Sequence, residues 1–169
     1  MKTTLAMAAA GVWFSSATAS DLMGQVSVID GDTIEIHGQR IRLWGIDAPE
    51  WTQLCRGADS VHYRCGAVAA NGLSTFIAGR PVVCAPKAVD RYGRTVALCT
   101  VAGTDLAGWM VGAGYALDWP RYSRGTYGLD QAKAEKAEAG IWSGSFAEPW
   151  SYRACVSAGV ALPMCSDGN

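Results

Sequence analysis

The feature that most constrains the fold is an alternation of apolar and polar residues that starts after Gln25. Because successive side chains of a β-strand point to opposite faces, this period of two predicts strands with one buried face. Three strands are predicted, and their inward-facing residues are Val26 and Val28, Ile34 and Ile36, and Ile41 and Leu43. The acidic turn Asp30–Asp32 separates the first two strands, and Gly38–Gln39 suits a two-residue turn between the second and third.

Helices and two more strands are predicted downstream of this hairpin. Runs of small or apolar residues that end at glycine predict helices over Ala67–Ala78, Asp105–Ala113 and Leu129–Ala139. Renewed alternation predicts strands over Pro81–Ala85 and Arg94–Val101. The predicted fold is α+β: a five-stranded oligonucleotide/oligosaccharide-binding (OB) β-barrel with about three packed α-helices.

The first residues have the pattern of a secretory signal peptide. Lys2 is followed by the apolar run Leu5–Phe14 and then by small residues, so we expect cleavage after Ala19 or Ser20. The run is too short to span a bilayer, which needs about 20 residues, and we expect no retained membrane segment. We therefore expect an exported protein, periplasmic or extracellular, with one domain over 22–148 and a tail over 149–169. A monomer without an obligate protein partner is expected.

All six cysteines follow the predicted cleavage site, and in an exported protein they are expected to form disulfides. Proximity in sequence suggests the pairs Cys55–Cys65, Cys84–Cys99 and Cys155–Cys165, the last of which would staple the tail. The middle pair also follows from register, because a turn centred on Arg91–Tyr92 places Cys84 opposite Cys99. Zinc is the alternative ligand, but the chain has no CxxC pair and only 2 histidines.

Net charge argues against a protein that coats nucleic acid without specificity. The formal net charge is −1, and loss of Lys2 with the signal peptide would make it about −2, whereas such proteins are usually strongly basic. Any contact with a polyanion must then be local or bridged by a metal ion.

Acidic residues gather at the open end of the first hairpin. With a turn at Gly38–Gln39, Asp30 faces Asp47, and Asp32 is a diagonal neighbour of Asp47 on the same face. Like charges in these positions repel, and a bound Ca²⁺, which prefers carboxylate and carbonyl oxygens, would neutralise them. Ordinary turn chemistry is the alternative explanation for the acidic turns.

Two arginines and a glutamate complete a candidate catalytic site. Arg42 and Arg94 have the guanidinium groups that bind phosphate oxygens in bidentate fashion, and Glu50 is placed to activate a water molecule. Each arginine also has an alternative role. In the predicted register Arg42 lies opposite Glu35 and points away from Asp32 in a flat sheet, so an ordinary cross-strand ion pair is possible. Arg94 lies at a turn, where a solvated charge is common.

Four motifs, "VIDGDTIEI", "RIRLWGIDAPE", "DRYGRTVA" and "GIWS", occur in the order found in the thermonuclease family, the calcium-dependent staphylococcal-type nucleases. The resemblance extends from about Gln25 to Trp142. It implies phosphodiester hydrolysis of DNA and RNA that leaves 3′-phosphate ends.

The resemblance also assigns roles by position. It implies that Ca²⁺ is bound by Asp32, Asp47 and the backbone carbonyl of Ala48, with Asp30 as an acidic neighbour. It implies that Arg42 and Arg94 bind phosphate, that Glu50 is the general base, and that Tyr92 and Tyr122 line the nucleotide pocket.

Two other function classes compete with a nuclease. The first is a non-catalytic exported OB-fold module that binds single-stranded nucleic acid or glycan by stacking on Tyr92, Trp119 and Tyr122. The second is a structural protein stapled by disulfides. The charged set disfavours the first, because an acidic cluster beside a phosphate would repel a ligand that is only to be bound, and the second explains the cysteines but leaves the charged set unexplained.

Overall fold

The computed structural model describes residues 22–166, so the predicted signal peptide lies outside the described residues. Eleven strands occur in this part of the chain: β1 Leu22–Gly24, β2 Ser27–Asp30, β3 Thr33–Ile36, β4 Gln39–Leu43, β5 Ile46–Asp47, β6 Cys55–Arg56, β7 His62–Tyr63, β8 Val82–Val89, β9 Thr95–Val101, β10 Thr104–Asp105 and β11 Leu117–Asp118. Five α-helices accompany them: α1 Cys65–Ile77, α2 Leu106–Gly112, α3 Pro120–Ser123, α4 Gly128–Lys136 and α5 Pro149–Ser157. Two 3₁₀-helices cover Gly140–Ser143 and Leu162–Cys165.

The α+β class is confirmed, but the closed five-stranded barrel and the helix count are not. The five expected strands correspond to β2, β3, β4, β8 and β9, which lie side by side in one mixed sheet of order β1-β8-β9-β4-β3-β2, with β10 paired to β9. The sheet path ends at β1 and β2. Because β1 is only three residues long and is used in pairing with β8, no ladder between described strands closes the sheet on itself.

The register of the first hairpin differs from the predicted one. His37 and Gly38 both have positive φ, 50° and 79°, which is the backbone of a type I′ turn, so the turn is centred one residue earlier than Gly38–Gln39. Thr33 therefore pairs with Arg42, and Glu35 pairs with Arg40 rather than with Arg42. This shift removes the predicted cross-strand partner of Arg42 and brings its guanidinium to Asp32.

The second hairpin confirms the predicted pairing of cysteines. Cys84 lies opposite Cys99 in the β8–β9 ladder and is bonded to it, with Cα atoms 4.0 Å apart. The other two predicted bridges, Cys55–Cys65 and Cys155–Cys165, are also present. The ladder has an irregularity between Pro86 and Ala88 and continues to the 90–94 turn, so β8 extends four residues beyond the predicted end at Ala85, whereas β9 begins one residue after the predicted start at Arg94.

The main core lies between the sheet and helices α1 and α2. Its fully buried residues include Ile34, Ile41, Leu73, Leu106 and Met110. The observed helices α1, α2 and α4 match the three predicted ones within a few residues. Helices α3 and α5 were not predicted: α3 is a single turn, and α5 begins at a proline in the tail. No helix in residues 22–166 has the length and apolar character needed to cross a membrane.

Two features hold the loop after β5 against the core. Gly66, in the first turn of α1, lies so close to the backbone of Glu50 that a Cβ there would be 1.9 Å from the Glu50 carbonyl oxygen. Gln53 is fully buried; its side-chain oxygen accepts a hydrogen bond from the Glu50 amide at 3.2 Å, and its side-chain nitrogen donates to the Ala147 carbonyl at 2.6 Å. The backbone of Glu50 is therefore fixed from both sides, and Gln53 connects it to the segment that precedes the tail.

Candidate active site

A groove of about 1050 Å³ lies at the open end of the first hairpin. Its walls come from the end of β4, the loop after β5, the 90–94 turn, the segment around α3, and helix α5 of the tail. The predicted site residues that line it are Asp30, Asp32, Arg42, Ala48, Glu50, Tyr92, Arg94 and Tyr122. Asp47, the remaining predicted side chain, is fully buried in contact with Arg42 of the groove wall. The structure thus brings all of the predicted residues to one region.

Asp32 is buried beside the hairpin and has a full set of partners. One carboxylate oxygen, Oδ1, accepts from Thr33 Oγ1 at 3.0 Å and from Arg42 Nη1 at 2.9 Å. The other, Oδ2, accepts from the backbone amide of Ala48 at 3.1 Å. The amide of Asp32 itself donates to Asp30 Oδ1 at 3.0 Å. These bonds tie the Asp30–Asp32 turn to both β4 and the loop that carries Ala48.

Arg42 bridges the two buried aspartates. Its Nη2 donates to Asp47 Oδ1 at 2.6 Å, while Nη1 donates to Asp32, and only 15% of its side chain is exposed. Burial acts to lower the pKa of Arg42, but the charges of Asp32 and Asp47 raise it above its ordinary value. The guanidinium is therefore permanently charged and held in one place at the groove.

The carboxylates compete with one another for the ionised state. Burial, together with the nearby Asp32, raises the pKa of Asp30 to about 7. Burial also raises the pKa of Asp47 to about 6, although its arginine partners oppose this shift. Negative charge at this end of the hairpin is thus costly when no additional cation is present.

Arg153, in helix α5, was missed by sequence reasoning and lies in the middle of the site. Its Nη2 donates to Asp47 Oδ2 at 2.6 Å, and its Nη1 donates both to Asp47 Oδ1 at 3.0 Å and to Glu50 Oε1 at 2.8 Å. Burial acts to lower the pKa of Arg153, but Asp47 and Glu50 raise it above its ordinary value. The sequence around Arg153 matches no motif; its one signal is its place two residues before Cys155, in a tail expected to be stapled.

Arg94 and its turn form another wall of the groove. The Nε of Arg94 donates to Asp90 Oδ2 at 2.7 Å, and the Arg94 amide donates to Asp90 Oδ1. Burial acts to raise the pKa of Asp90, but the hydrogen bonds from the side chain and backbone of Arg94 together lower it below its ordinary value. The Arg94 guanidinium also lies 5.6 Å from the ring centre of Tyr92.

Aromatic side chains line the groove on either side. Tyr92 and Tyr122 are exposed, at 69% and 50% of their surface. Tyr122 contacts Trp119 edge-on, and Trp119 stacks on Trp150 of the tail with ring centres 5.9 Å apart. Trp119 also lies under both Arg42 and Arg153, at 5.8 and 5.6 Å from ring centre to guanidinium carbon. The groove therefore combines cations with exposed ring faces, which is typical of sites that bind single-stranded nucleic acid.

The chemistry of the donors fits a hard cation. The carboxylates of Asp32 and Asp47 and the backbone of Ala48 offer oxygen ligands only, and the raised pKa values of Asp30 and Asp47 indicate negative charge in need of compensation. Among residues 22–166, however, no three His, Cys, Asp or Glu side chains are grouped closely enough to hold a metal ion. The guanidinium groups of Arg42 and Arg153 occupy the Asp47 oxygens, so an ion at Asp47 must share or replace these contacts.

Comparison with known proteins agrees with this arrangement. The family model described as staphylococcal nuclease homologue matches residues 40–144. A succinoglycan biosynthesis protein, ExoI, from Rhizobium meliloti is 46% identical over 129 residues, which cover 73% of this chain and 66%, just under two thirds, of the relative. A micrococcal nuclease from Shigella flexneri is 32% identical, over 88% of this chain and 90% of its own length. An uncharacterized endonuclease from Escherichia coli O157:H7 is 31% identical, over 79% and 86%.

The matched range divides the site. Residues 40–144 contain Arg42, Asp47, Glu50 and Arg94 but not Arg153. Arg153 lies beyond the C-terminal end of this range, and Asp30 and Asp32 lie before its start.

Proposed function

The chain belongs to the staphylococcal nuclease family, and from that premise we propose that it is an exported nuclease that hydrolyses phosphodiester bonds of DNA and RNA with Ca²⁺ as cofactor. The observation that carries the proposal is the placement of Arg42, Glu50 and Arg94 in one groove, beside two buried aspartates. The three disulfides support export, because such bonds persist in oxidising compartments. A monomer remains our expectation.

Each residue has a defined task in the proposed reaction. Asp32, Asp47 and the carbonyl of Ala48 would hold Ca²⁺, which, when bound, supplies a Lewis acid for a phosphate oxygen. Glu50 accepts a proton from the attacking water, and its position is fixed by the bonds of its backbone to Gln53. Arg42 and Arg94 stabilise the charge that develops on the phosphate oxygens. Departure of the 5′ oxygen leaves a 3′-phosphate end.

The exposed tyrosine rings in the groove favour single-stranded or locally opened substrates. Tyr92 and Tyr122 present exposed ring faces on which unpaired bases can stack. Bases of an intact duplex are already stacked on each other and do not offer their faces to the protein. We therefore expect faster cleavage of single strands than of duplex DNA.

A non-catalytic exported binding module is the second candidate. Two observations favour it: Arg153 is hydrogen-bonded to the carboxylates of Asp47 and Glu50, and one relative is named a succinoglycan biosynthesis protein rather than a nuclease. In that case the aromatic groove would bind single-stranded nucleic acid or glycan, and the charged cluster would be structural.

The decisive experiment is incubation of the purified mature protein with single-stranded DNA and with RNA, in Ca²⁺ or in EGTA. We expect calcium-dependent degradation to 3′-phosphate ends. Glu50→Gln should lower the rate about 10²-fold or more, whereas Glu135→Gln, which removes the same charge from the exposed face of α4, should leave it unchanged. Retardation of the nucleic acid without cleavage would support the binding module instead.

A further inference from the structure

The tail, residues 149–166, forms part of the wall of the groove and is bonded to the loop that follows Glu50. Helix α5 is anchored to the loop after Glu50 by Tyr152, whose hydroxyl lies 3.2 Å from Thr52 Oγ1. Downstream, Ser166 accepts a hydrogen bond from the Leu54 amide through its side chain and one from the Ala147 amide through its carbonyl. The Cys155–Cys165 bond closes this segment into a loop. Arg153 is thus delivered to the carboxylates by a fixed scaffold.

Arg153 occupies the oxygens that a metal ion at Asp47 would need. Asp47 Oδ2 accepts from Arg153, and Oδ1 accepts from both Arg42 and Arg153. The same guanidinium also holds Glu50, the proposed general base. A divalent cation and a guanidinium in contact with the same carboxylate oxygen repel each other, so binding of an ion at Asp47 favours the departure of one guanidinium.

The two arginines differ in how readily they can leave. Arg42 extends from a central strand, is 15% exposed, and has a second aspartate partner. Arg153 is 36% exposed, extends from a surface helix, and lines a groove with space for its side chain to move. Displacement of Arg153 is therefore the easier way to expose Asp47, and it frees the Oδ2 atom while Arg42 keeps its bond to Oδ1.

We propose that Arg153 is a metal-displaceable counter-ion of Asp47 and Glu50, and that it determines the divalent-cation affinity of the site. The proposal rests on the proposed function, since it takes the acidic cluster as the ion site. In the ion-free protein Arg153 neutralises Asp47 and restrains Glu50. When an ion binds at Asp47, Arg153 is released from both carboxylates and is free to contact a phosphate in the groove. A protein whose ion-competent state is a minor population binds the ion more weakly by that fraction.

The test measures ion binding without any substrate. Ca²⁺ titrated into the disulfide-intact protein by calorimetry, and Tb³⁺ followed by luminescence, give the dissociation constant for wild type, Arg153→Gln and Arg153→Lys. We expect Arg153→Gln to bind about tenfold more tightly than wild type, since the competing state is removed. Arg153→Lys should fall between them, because lysine keeps the charge but not the bidentate geometry.

Controls separate this inference from the proposed function. Arg124→Gln removes the same charge from an exposed position outside the groove and should leave the dissociation constant unchanged. Thermal unfolding of each variant checks that it is folded. If wild type binds the ion and Arg153→Gln binds it equally or more weakly, the role of Arg153 is overturned while the proposed function stands. If neither protein binds Ca²⁺ or Tb³⁺, both the counter-ion role and the proposed ion site are overturned.

Discussion

Arg42 and Arg153 contact the same buried carboxylate from two different regions of the chain, one inside and one outside the range that the family model matches. Arg42 comes from the first hairpin, within the range matched by the family model, and it bridges Asp32 and Asp47 from a central strand. Arg153 comes from the stapled tail, outside that range, and joins Asp47 to Glu50. A charge on a strand that is paired on both sides is part of the fold. A guanidinium on a surface helix, in contrast, can move away from its carboxylate partners when a metal ion or a substrate competes with it.

The largest expected difference between the two arginines is in catalysis. Arg42→Gln should lower the rate of single-stranded DNA cleavage at saturating Ca²⁺ by about 10²-fold or more, since in the proposed reaction it removes a fixed charge that stabilises the phosphate oxygens. Arg153→Gln should lower it far less under the same conditions, because the ion then occupies Asp47 in either protein. Initial rates of the two variants beside wild type measure the contrast. Equal losses would show that both arginines act on the reacting phosphate and would abolish the distinction.

The part of the site in the first hairpin could be predicted from the sequence, and the part in the tail could not. The alternation of apolar residues and the motifs around Asp32, Arg42 and Glu50 are local, so strands and acidic turns were predictable. The turn was predicted one residue too late, so each predicted cross-strand pair is wrong by two residues. The positive φ at His37, which allows the type I′ turn, is not indicated by the residue type. Arg153 was out of reach, because its contacts span more than one hundred residues of chain and depend on how the tail folds back.

Disulfides provide the next test of the comparison. Replacing Cys84 and Cys99 by alanine opens a bridge inside the core and should lower the free energy of unfolding by about 3 kcal/mol, as the chain-entropy model gives for a loop of about 15 residues. Replacing Cys155 and Cys165 by alanine should instead increase amide exchange in residues 149–166 and leave the strands of the main sheet protected.

Urea unfolding and hydrogen exchange, both at pH 7 in EGTA, provide these measurements. Loss of protection in β8 and β9 on removal of the tail bridge would show that tail and core unfold as one unit. In that case the tail is part of the fold in the same sense as the hairpin.

The pH dependence of stability tests the buried carboxylates at the end of the first hairpin, without either arginine being changed. The pKa of Asp30 is raised from 3.8 to about 7 in the folded protein, so the folded state binds more protons than the unfolded state between these values. Stability in EGTA should therefore fall as pH rises from about 4 to about 7, by on the order of 4 kcal/mol from this group, since one pKa unit corresponds to about 1.4 kcal/mol. Asp30→Asn should flatten this fall, and Glu135→Gln should not. Denaturation midpoints at intervals of pH measure it, and a profile that rises over this range would contradict the assigned shift.

The smallest expected effects concern the stacking of nucleic-acid bases on aromatic side chains, where Tyr122 should matter more than Trp150 of the tail. Tyr122, in α3, is exposed in the groove, whereas Trp150 of the tail is packed against Trp119. Tyr122→Ala should weaken binding of a single-stranded oligonucleotide in EGTA by about 1 kcal/mol, the lower end of the range for one stacked base. Trp150→Phe keeps a packed ring and should change the affinity by less than about twofold, as should Trp51→Ala, an exposed ring outside the groove. Fluorescence anisotropy of a labelled oligonucleotide gives the affinities. A loss of affinity with Trp150→Phe as large as that with Tyr122→Ala would mean that the tail contributes a stacking surface as well as a charge. Phenylalanine keeps a packed ring but has a smaller face than tryptophan, so such a loss would indicate that a base stacks directly on Trp150.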